Sequence, residues 1–301
     1  MRKLSRRAAS IALAAAMLFT TARVSQKKVE AASTGKLSVT GYQDYNDAQK
    51  ILKEVNKYRK KNGRKALKMD RGLTNSAIMR GFETTIYIPE TSPHRRPNGK
   101  LSKSINKKII YENCAQSAGT TPKQIVKGWI NSSTHRKGLL LSNAKSVGVA
   151  AVTVVSRDGY EANTWVLDFS SSKAKKVEKS KARKQFTKNI VTKNSYLKKS
   201  YLKLDSRYGT IWETEKMQMK PTYQGKMMKE YGVYPTVINT SSFISWKSSN
   251  PSVASVDSNG RITGNKAGTA TISAKLKTGT KITISKKIKV VPTNQQIDPW
   301  E

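Results

Sequence analysis

The stretch TPKQIVKGWINSSTHRKGLLLSNAKSVGVAAV, residues 121–152, contains the clearest helix start in this chain of 301 residues. Thr121 and Gln124, with a proline between them, form the pattern of a capping box, so a helix should begin here. The apolar residues from 125 to 130 recur at three- and four-residue steps, which is the period of a helix. The apolar, β-branched run over 147–155 predicts a strand.

Further helices and a second strand flank this stretch. Residues 44–63, DYNDAQKILKEVNKYRKKNG, predict an amphipathic helix with Asn46 or Asp47 as its cap, and a second helix is predicted over about 70–86. A strand over 164–169 follows the turn SRDGY, which predicts an antiparallel hairpin with the strand before it. Helices first and a hairpin later indicate an α+β domain.

The composition changes twice after this domain. Residues 173–203 carry twelve Lys or Arg and the single acid Glu178. This window is interpreted as a solvated linker that repels itself into extension, or as an arm that binds polyanions, and both can hold. Residues 243–291 alternate apolar and polar residues between Asn-Pro, Asn-Gly, Ala-Gly and Thr-Gly turns, which predicts an all-β sandwich.

The N-terminus has the pattern of an export signal. Basic residues precede a short apolar run in MRKLSRRAASIALAAAMLFTTA, residues 1–22, and the run is too short to span a membrane. We expect a signal peptide over residues 1–31 with cleavage after Ala31, and cleavage after Ala22 is the alternative. No later run is long enough for a transmembrane segment, so the mature protein is predicted to be secreted or associated with the cell wall or surface.

The charge of the chain is strongly positive. The formal net charge is +38, and because residues 1–31 carry seven Lys or Arg and one Glu, cleavage after Ala31 would leave +32. Such a charge predicts attraction to anionic cell-wall polymers or other surface polyanions. No motif of a specific nucleic-acid-binding domain occurs, so no specific nucleic acid is expected as a partner. Cys114 is the only cysteine, which excludes an intramolecular disulfide.

Two sets of motifs resemble known families. Five blocks resemble the bacterial branch of the CAP superfamily, also called SCP-like extracellular proteins: VNKYRKKNGRKALKMDRGLTNSAIMRGFE, SPHRRPNGK, YENCAQ, VKGWINSSTHRKGLLLSNAKSVGVA and WVLDF. The later stretch WKSSNPSVASVDSNGRITGNKAGTATISA resembles group 2 bacterial Ig-like domains. The resemblance implies an α-β-α sandwich (the CAP fold) over 45–170, a basic linker over 171–195 and an all-β Ig-like sandwich over 196–292.

The CAP resemblance also implies a site. In that fold, the residues that match His94, Glu112 and His135 line one central cleft. Two imidazoles and a carboxylate are a sufficient set of ligands for Zn²⁺ or a similar divalent ion with open coordination positions. The alternative is that the three residues hydrogen-bond local turns and bind no metal.

Three further residues are candidates for the cleft. Glu83 is interpreted as a fourth polar group of the cleft or as a solvent-facing acid on the second helix. Asn113 is a candidate hydrogen-bonding residue, and Arg136 is a candidate partner that could hold Glu112 in a charge-assisted pair. Cys114 is interpreted as a small buried hydrophobic residue, not as a nucleophile.

Three functions fit this sequence. The favoured one is an extracellular binding module whose Ig-like domain attaches it to a surface and contacts a protein or glycan ligand. The alternative is a metal-assisted hydrolase, acting on peptides or wall material, with Glu112 as general base. The third is a purely electrostatic wall or membrane binder. Neither a His-Glu-x-x-His motif nor a serine nucleophile elbow is present, so the question of catalysis stays open and binding is favoured.

Overall fold

The structure is a computed structural model of the chain, and it describes residues 34–86, 94–117, 119–156, 159, 161–205, 209–230, 232–277 and 281–294. The predicted signal peptide, residues 1–31, lies outside the described residues. Within the described ranges, no helix is long and apolar enough to cross a membrane.

The first half of the described chain combines helices with one mixed sheet. The helices are α1 (Tyr45–Lys61), α2 (Arg71–Ile86), α3 (Pro122–Asn131) and α4 (Ser133–Leu139). The strands are β1 (Thr34–Asp44), β2 (Lys68–Met69), β3 (Tyr111–Ser117), β4 (Ser146–Val155), β5 (Glu161–Ser170) and β6 (Arg183–Lys193). The sheet order is β3-β5-β4-β1-β6, and β2 pairs with β4 in parallel. β4 and β5 pair antiparallel, which confirms the predicted pairing.

Side-chain caps determine where two of the helices begin. The predicted capping box of α3 is confirmed, because the Thr121 hydroxyl accepts from the Gln124 amide and the Gln124 side chain accepts from the Thr121 amide. The predicted cap of α1 at Asn46 or Asp47 is wrong. Asp44 is the cap: its backbone is still extended, and its carboxylate accepts a hydrogen bond from the Asp47 amide at 2.9 Å.

Helices cover both faces of the sheet. On one face, α2 packs its buried side chains onto alternate residues of the central strands: Ala77, Ile78, Phe82, Ala150, Val152 and Val166. On the other face, α1 and α3 pack onto the intervening residues: Ile51, Val55, Val126, Trp129, Val149 and Leu167. Because successive strand residues point to opposite faces, one sheet supplies both cores. The predicted α-β-α sandwich is confirmed.

Gly148 of β4 lies directly against the backbone of α2. A Cβ at this position would collide with the main chain of Leu73 and Thr74. We therefore expect Gly148→Ala to lower the free energy of unfolding by about 2–3 kcal/mol. Gly128→Ala in α3 is the matched control, because nothing lies within 4 Å of the added Cβ and alanine favours a helix by about 1 kcal/mol. Urea unfolding should show a lower free energy of unfolding for Gly148→Ala and a higher one for Gly128→Ala. Equal changes in the two variants would contradict the close approach of β4 to α2.

Much of the predicted linker, residues 171–195, is a strand. β6 pairs antiparallel with β1 along the whole of both strands. Ile190 and Thr192 are buried, while Arg183, Lys184 and most of their neighbours remain exposed. The prediction of a solvated, extended linker is therefore wrong for this segment. A strand at the edge of a sheet needs few apolar residues. The lysines of β6 therefore hid the alternation of apolar and polar residues that predicts a strand.

The second half is mainly β. Its elements are β7 (Leu202–Asp205), β8 (Thr210–Trp212), β9 (Lys216–Gln218), β10 (Lys220–Tyr223), α5 (Lys226–Glu230), β11 (Thr236–Val237), β12 (Phe243–Ser248), β13 (Ala254–Val256), β14 (Arg261–Gly264), β15 (Gly268–Leu276) and β16 (Thr283–Val291). They form sheets in the orders β12-β15-β16-β8, β13-β14-β9 and β11-β10-β7. This β architecture agrees with the predicted Ig-like sandwich, to which the structure adds the short helix α5.

The two halves share hydrogen bonds and a hydrophobic core. β1 pairs with β4 only at Tyr42 and Gln43. Beyond the end of β4, residues 236–242 of the second half lie beside β1. There the Ser38 amide donates to the Ser242 hydroxyl at 2.8 Å, and the Asn239 amide donates to the Ser38 carbonyl at 2.7 Å. One buried cluster contains apolar residues of both halves. The described residues between 34 and 294 accordingly belong to one compact unit.

Candidate functional site

A buried arginine joins two acidic residues on the α2 face of the sheet. The Arg80 side chain is 1% exposed. Its Nε donates to Oε2 of Glu112 at 2.9 Å, and its Nη2 donates to Oε1 at 3.2 Å. Its Nη1 donates to Oε2 of Glu83 at 2.9 Å. Both carboxylates are buried, and a buried charge of this kind requires an opposite charge in contact with it.

A second arginine completes this network. Arg96 donates from Nη2 to Oε1 of Glu83 at 2.7 Å, and from Nε to the same oxygen at 2.9 Å. We call Arg80, Glu83, Arg96 and Glu112 the Arg80 cluster. It carries two positive and two negative charges, so it is neutral as a whole. Glu83 is therefore a buried member of an ion-pair network, and the alternative of a solvent-facing acid is wrong.

The charges of the Arg80 cluster stabilise one another. Burial alone would raise the pKa of Glu112, but the hydrogen bond with His94 and the charge of Arg80 outweigh it and lower this pKa. Burial likewise disfavours the charged form of Arg80, but Glu112 and Glu83 overcome that effect and raise the pKa of the guanidinium. Both groups are therefore ionised at neutral pH.

His94 lies at the outer side of this cluster. Its Nδ1 is 3.0 Å from Oε1 of Glu112. The Glu112 side chain is 1% exposed and the His94 side chain is 36% exposed, so the imidazole stands between a buried carboxylate and solvent. With Glu112 ionised, Nδ1 carries the hydrogen of this bond. A carboxylate on Nδ1 orients the ring and makes Nε2 the basic nitrogen.

His135 lies close enough to His94 for their charges to interact. Its Nδ1 is 2.9 Å from the Ser132 hydroxyl, in the residue that precedes α4. Burial lowers the pKa of His135, and the charge of His94 lowers it further. The ring is therefore neutral at pH 7. The structure thus brings the two histidines of the chain within electrostatic range of each other. The predicted set of three is not brought together: among the described residues, the group whose potential ligand atoms lie within 4.8 Å of one another contains His94 and Glu112 but not His135.

Asn113 and Arg136 lie outside this group. Asn113 follows Glu112 on β3 and points to the opposite face, where its side-chain amide donates to the His135 carbonyl at 3.0 Å. It holds α4 against the sheet. Arg136 is exposed and donates to the Ile130 carbonyl at 3.1 Å. The predicted pairing of Arg136 with Glu112 is therefore wrong, and Arg80 holds that carboxylate.

Cys114 lies within the same group as His94 and Glu112. Its sulfur and one potential ligand atom from each of these two residues all lie within 4.8 Å of one another. Burial raises the pKa of the Cys114 thiol to about 12, and the charge of Glu112 contributes. A thiol of this pKa is protonated at neutral pH and is a poor nucleophile. Cys114 is only partly buried, but it packs against the hydrophobic core, which supports its interpretation as a small packing residue and not as a nucleophile.

Sequence reasoning missed Asp168. It lies on β5 directly opposite Glu112 of β3 and is fully buried. Neither carboxyl oxygen has a hydrogen-bond partner among the described residues. Burial raises its pKa well above the ordinary value, and the charge of Glu112 raises it further. The neutral acid is therefore the favoured form. The only feature of the sequence that could have indicated Asp168 is its position as an acid within the apolar run WVLDF.

Arg80 and Arg96 were missed as well. The signal for Arg80 was its position in α2, three residues before Glu83 on a helix whose other residues are mostly buried. Arg96 belongs to the short basic run HRRP, which resembles an ordinary solvated cluster. Nothing in that run identifies its partner, because Glu83 precedes it by thirteen residues.

Comparison with known families identifies both halves of the chain. Residues 52–169 match the cysteine-rich secretory protein family (CAP), and residues 224–288 match the bacterial Ig-like domain (group 2). The chain therefore contains a CAP domain followed by a bacterial Ig-like domain, as predicted. This pair of domains supports an extracellular interaction module.

One curated relative matches the first half. The uncharacterized protein YkwD of Bacillus subtilis (strain 168) is 31% identical over 130 residues, which are 42% of this chain and 48% of that protein. The chain thus spans about half the length of this relative.

Solved structures match each half at low identity. An outer surface protein from Borrelia burgdorferi is 18% identical, with 43% of this chain and 98% of that chain covered and a TM-score of 0.33. An extracellular protein containing a SCP domain from Bacillus anthracis str. Ames is 19% identical, with coverage of 42% and 41% and a TM-score of 0.32. A mutant intimin from enterohaemorrhagic E. coli (EHEC) is 24% identical, with coverage of 31% and 46% and a TM-score of 0.21. At these TM-scores the likenesses carry no functional argument.

Proposed function

We propose that the protein is exported and acts as an interaction module that is secreted or held at the cell wall or surface. Its CAP domain would hold a divalent ion beside His94 and His135. Its Ig-like domain would contact a protein or glycan ligand, and the net charge of +32 expected after cleavage at Ala31 would attract anionic wall polymers or other surface polyanions. The pairing of a CAP domain with a bacterial Ig-like domain supports this proposal.

The observation that carries the metal proposal is the contact of His94 with Glu112. A histidine held at Nδ1 by a carboxylate is a common arrangement among metal-binding histidines. Nδ1 of His135 is held in the same way by Ser132. With Nδ1 of both rings in these bonds, an ion would be held through Nε2 of each.

Glu112 fits the role of an orienting residue better than that of a direct ligand. Both of its oxygens accept from Arg80, so a cation at Glu112 would compete with a guanidinium. The two imidazoles are suitable ligands for Zn²⁺ and other divalent transition metals. A bound ion would supply a Lewis-acid centre with open positions for an anionic or carbonyl group of a ligand.

The same geometry disfavours a hydrolase with Glu112 as general base. A general base works best when its pKa lies near the operating pH, and the pKa of Glu112 is lowered. Asp168, whose pKa is raised, is fully buried and does not reach the solvent side of His94. The site therefore supports binding rather than hydrolysis.

Replacing His94 or His135 with alanine should weaken Zn²⁺ binding at least about tenfold, because each variant removes one ligand. The measurement is calorimetric titration of Zn²⁺ into the mature chain at pH 7, with circular dichroism to verify folding. Arg136→Ala is the matched control, since this exposed residue neighbours His135 and lies outside the proposed site. The Zn²⁺ affinity of Arg136→Ala should stay within about twofold of that of the unaltered protein.

Proton competition gives the metal proposal a second readout. A metal binds neutral imidazole, and the pKa of His135 is lowered, so proton competition at this ring should weaken the affinity only below the ordinary imidazole value of about 6.5. The lowered pKa of His135 keeps this ring neutral at pH 7, so little competition is expected there. Zn²⁺ affinity that is the same in both histidine variants and the unaltered protein would contradict the site, as would no binding from pH 6 to 8.

A further inference from the structure

The sheet β12-β15-β16-β8 has one face that carries positive charge and hydroxyl groups. Alternate residues of β15 and β16 are buried, and the intervening residues point outward. From Thr269 to Lys289, the outward residues of these two strands are Lys275, Lys287, Lys289 and otherwise only Ser or Thr. Lys286 has the inward orientation and is partly buried, and Val291 at the end of β16 is buried. Lys247 of β12 adds a fourth lysine, opposite Ser273 in the register. We call this surface the lysine face and define it by these four lysines and the hydroxyl residues between them.

No negative charge neutralises the lysine face from within its own strands. The four strands contain no Asp or Glu. Opposite charges commonly face one another across neighbouring strands, but here Lys275, Lys287 and Lys289 lie opposite threonines. Among the described residues, none of the four lysines forms an ion pair within 4.0 Å.

The spacing of the charges suits a linear anion. Lys287 and Lys289 lie two residues apart on one strand, which separates their Cα atoms by about 7 Å. The hydroxyls between the lysines can donate to phosphate oxygens and accept from alcohol groups. A flexible polyol phosphate chain offers one negative charge in each repeat and alcohol or ether oxygens between the charges. It therefore matches both kinds of group on the lysine face.

The face fits nucleic acid less well. Single-stranded nucleic acid is held largely by aromatic side chains that stack on its bases. The outward positions of β15 and β16 contain no aromatic residue, and the aromatic ring of Trp246 belongs to the inward side of β12, opposite Ala274. The exposed Trp212 lies on the edge strand β8, opposite Val291, so the described part of this face has a ring at its margin and not a row of stacking rings. The sheet also presents no helix for the major groove of a duplex.

We propose that the lysine face binds a linear polyol phosphate polymer of the cell wall. The inference rests on the proposed attraction of this protein to anionic wall polymers, and it assigns that attraction to one surface. The long-range charge of the whole chain brings the polymer near, and the lysine face holds it by direct contacts.

The test compares two triple variants with the same change in charge. In the mature chain, Lys275→Gln, Lys287→Gln and Lys289→Gln together remove three charges from the lysine face. Lys53→Gln, Lys57→Gln and Lys60→Gln together remove three exposed charges from α1. Binding of purified poly(glycerol phosphate) is measured at several salt concentrations, with single-stranded DNA as the second probe. Circular dichroism and thermal unfolding verify that both variants fold.

The lysine-face variant should bind poly(glycerol phosphate) on the order of tenfold more weakly, and the α1 variant should lose about twofold at most. The slope of log affinity against log salt should fall by about three in the lysine-face variant, one for each lost contact. Equal losses in the two variants would overturn the proposal in favour of general attraction. An equal or larger loss of DNA binding would overturn the choice of polyol phosphate.

A different result marks failure of the proposed function itself. If the unaltered protein does not bind poly(glycerol phosphate) at low salt, the proposed attraction to anionic wall polymers fails, and the lysine-face assignment fails with it. If the unaltered protein binds and both variants lose equally, only the assignment to this face fails.

Discussion

Replacing Arg80 with methionine should lower the free energy of unfolding by about 3–5 kcal/mol at pH 7, the usual cost of removing one partner of a buried ion pair. Methionine keeps most of the aliphatic volume and removes the charge. The guanidinium is the contact that allows Glu112 to be ionised in a buried site, and it also contacts Glu83. Without it, Glu112 must stay charged without a strong partner or take up a proton. Urea unfolding at pH 7 measures the loss.

The effect of Arg80→Met should depend on pH. The folded-state pKa of Glu112 is lowered, so its contribution to stability is present above the unfolded-state value of about 4.3 and is lost as the pH falls through the lower folded-state pKa. In the variant, protonation at acidic pH removes the uncompensated buried charge. Without Arg80, burial favours the protonated carboxyl, so the difference in stability between the two proteins should narrow as the pH falls from 7 to about 4.5.

Arg136→Met is the matched control for this experiment. Arg136 is exposed, and its guanidinium donates a hydrogen bond to the Ile130 carbonyl. Its replacement should cost no more than about 0.5 kcal/mol. The proposed importance of the Arg80 cluster would be contradicted if both methionine variants lost the same stability, or if the loss in Arg80→Met did not change between pH 7 and pH 4.5.

The helices and central strands could be predicted because their apolar residues alone indicate the buried side. α3 combines a capping box with buried residues at helical spacing, and β4 is an almost continuous apolar run. β6 could not be predicted in this way. It has one neighbour in the sheet, so most of its side chains remain exposed, and Ile190 is its single fully buried apolar residue.

The candidate site was predicted only where a family motif marked the residue. The motifs identified His94, Glu112 and His135, but spacing in the sequence does not show which charged groups meet. Arg80 and Arg136 carry the same guanidinium group. The sequence favoured Arg136 as the partner of Glu112 because it follows His135, whereas Arg80 is the residue that pairs with Glu112. The distinction depends on β3 pointing Glu112 toward α2, and this orientation requires the register of the sheet.

Removing the second half of the chain should destabilise the first half by at least about 3 kcal/mol, from three lost hydrogen bonds at about 1 kcal/mol each. The bonds are Ser38 amide to Ser242 hydroxyl, Asn239 amide to Ser38 carbonyl, and Thr236 hydroxyl to the Thr85 carbonyl at 2.8 Å. Loss of the shared apolar cluster adds to this cost. The measurement compares thermal and urea unfolding of residues 32–195 with the mature chain.

A point variant tests the same coupling in the full chain. Ser242→Ala removes the hydroxyl that accepts from the buried Ser38 amide, and an unpaired buried amide costs about 1–3 kcal/mol. Ser241→Ala is the matched control. The Ser241 side chain is exposed, so its hydroxyl should contribute less than about 0.5 kcal/mol to the free energy of unfolding. Since residues 236–242 continue the sheet beside β1, Ser242→Ala should lower the stability of both halves in one transition. Two separate transitions in the mature chain, with the first half unaffected by Ser242→Ala, would mean that the halves fold independently.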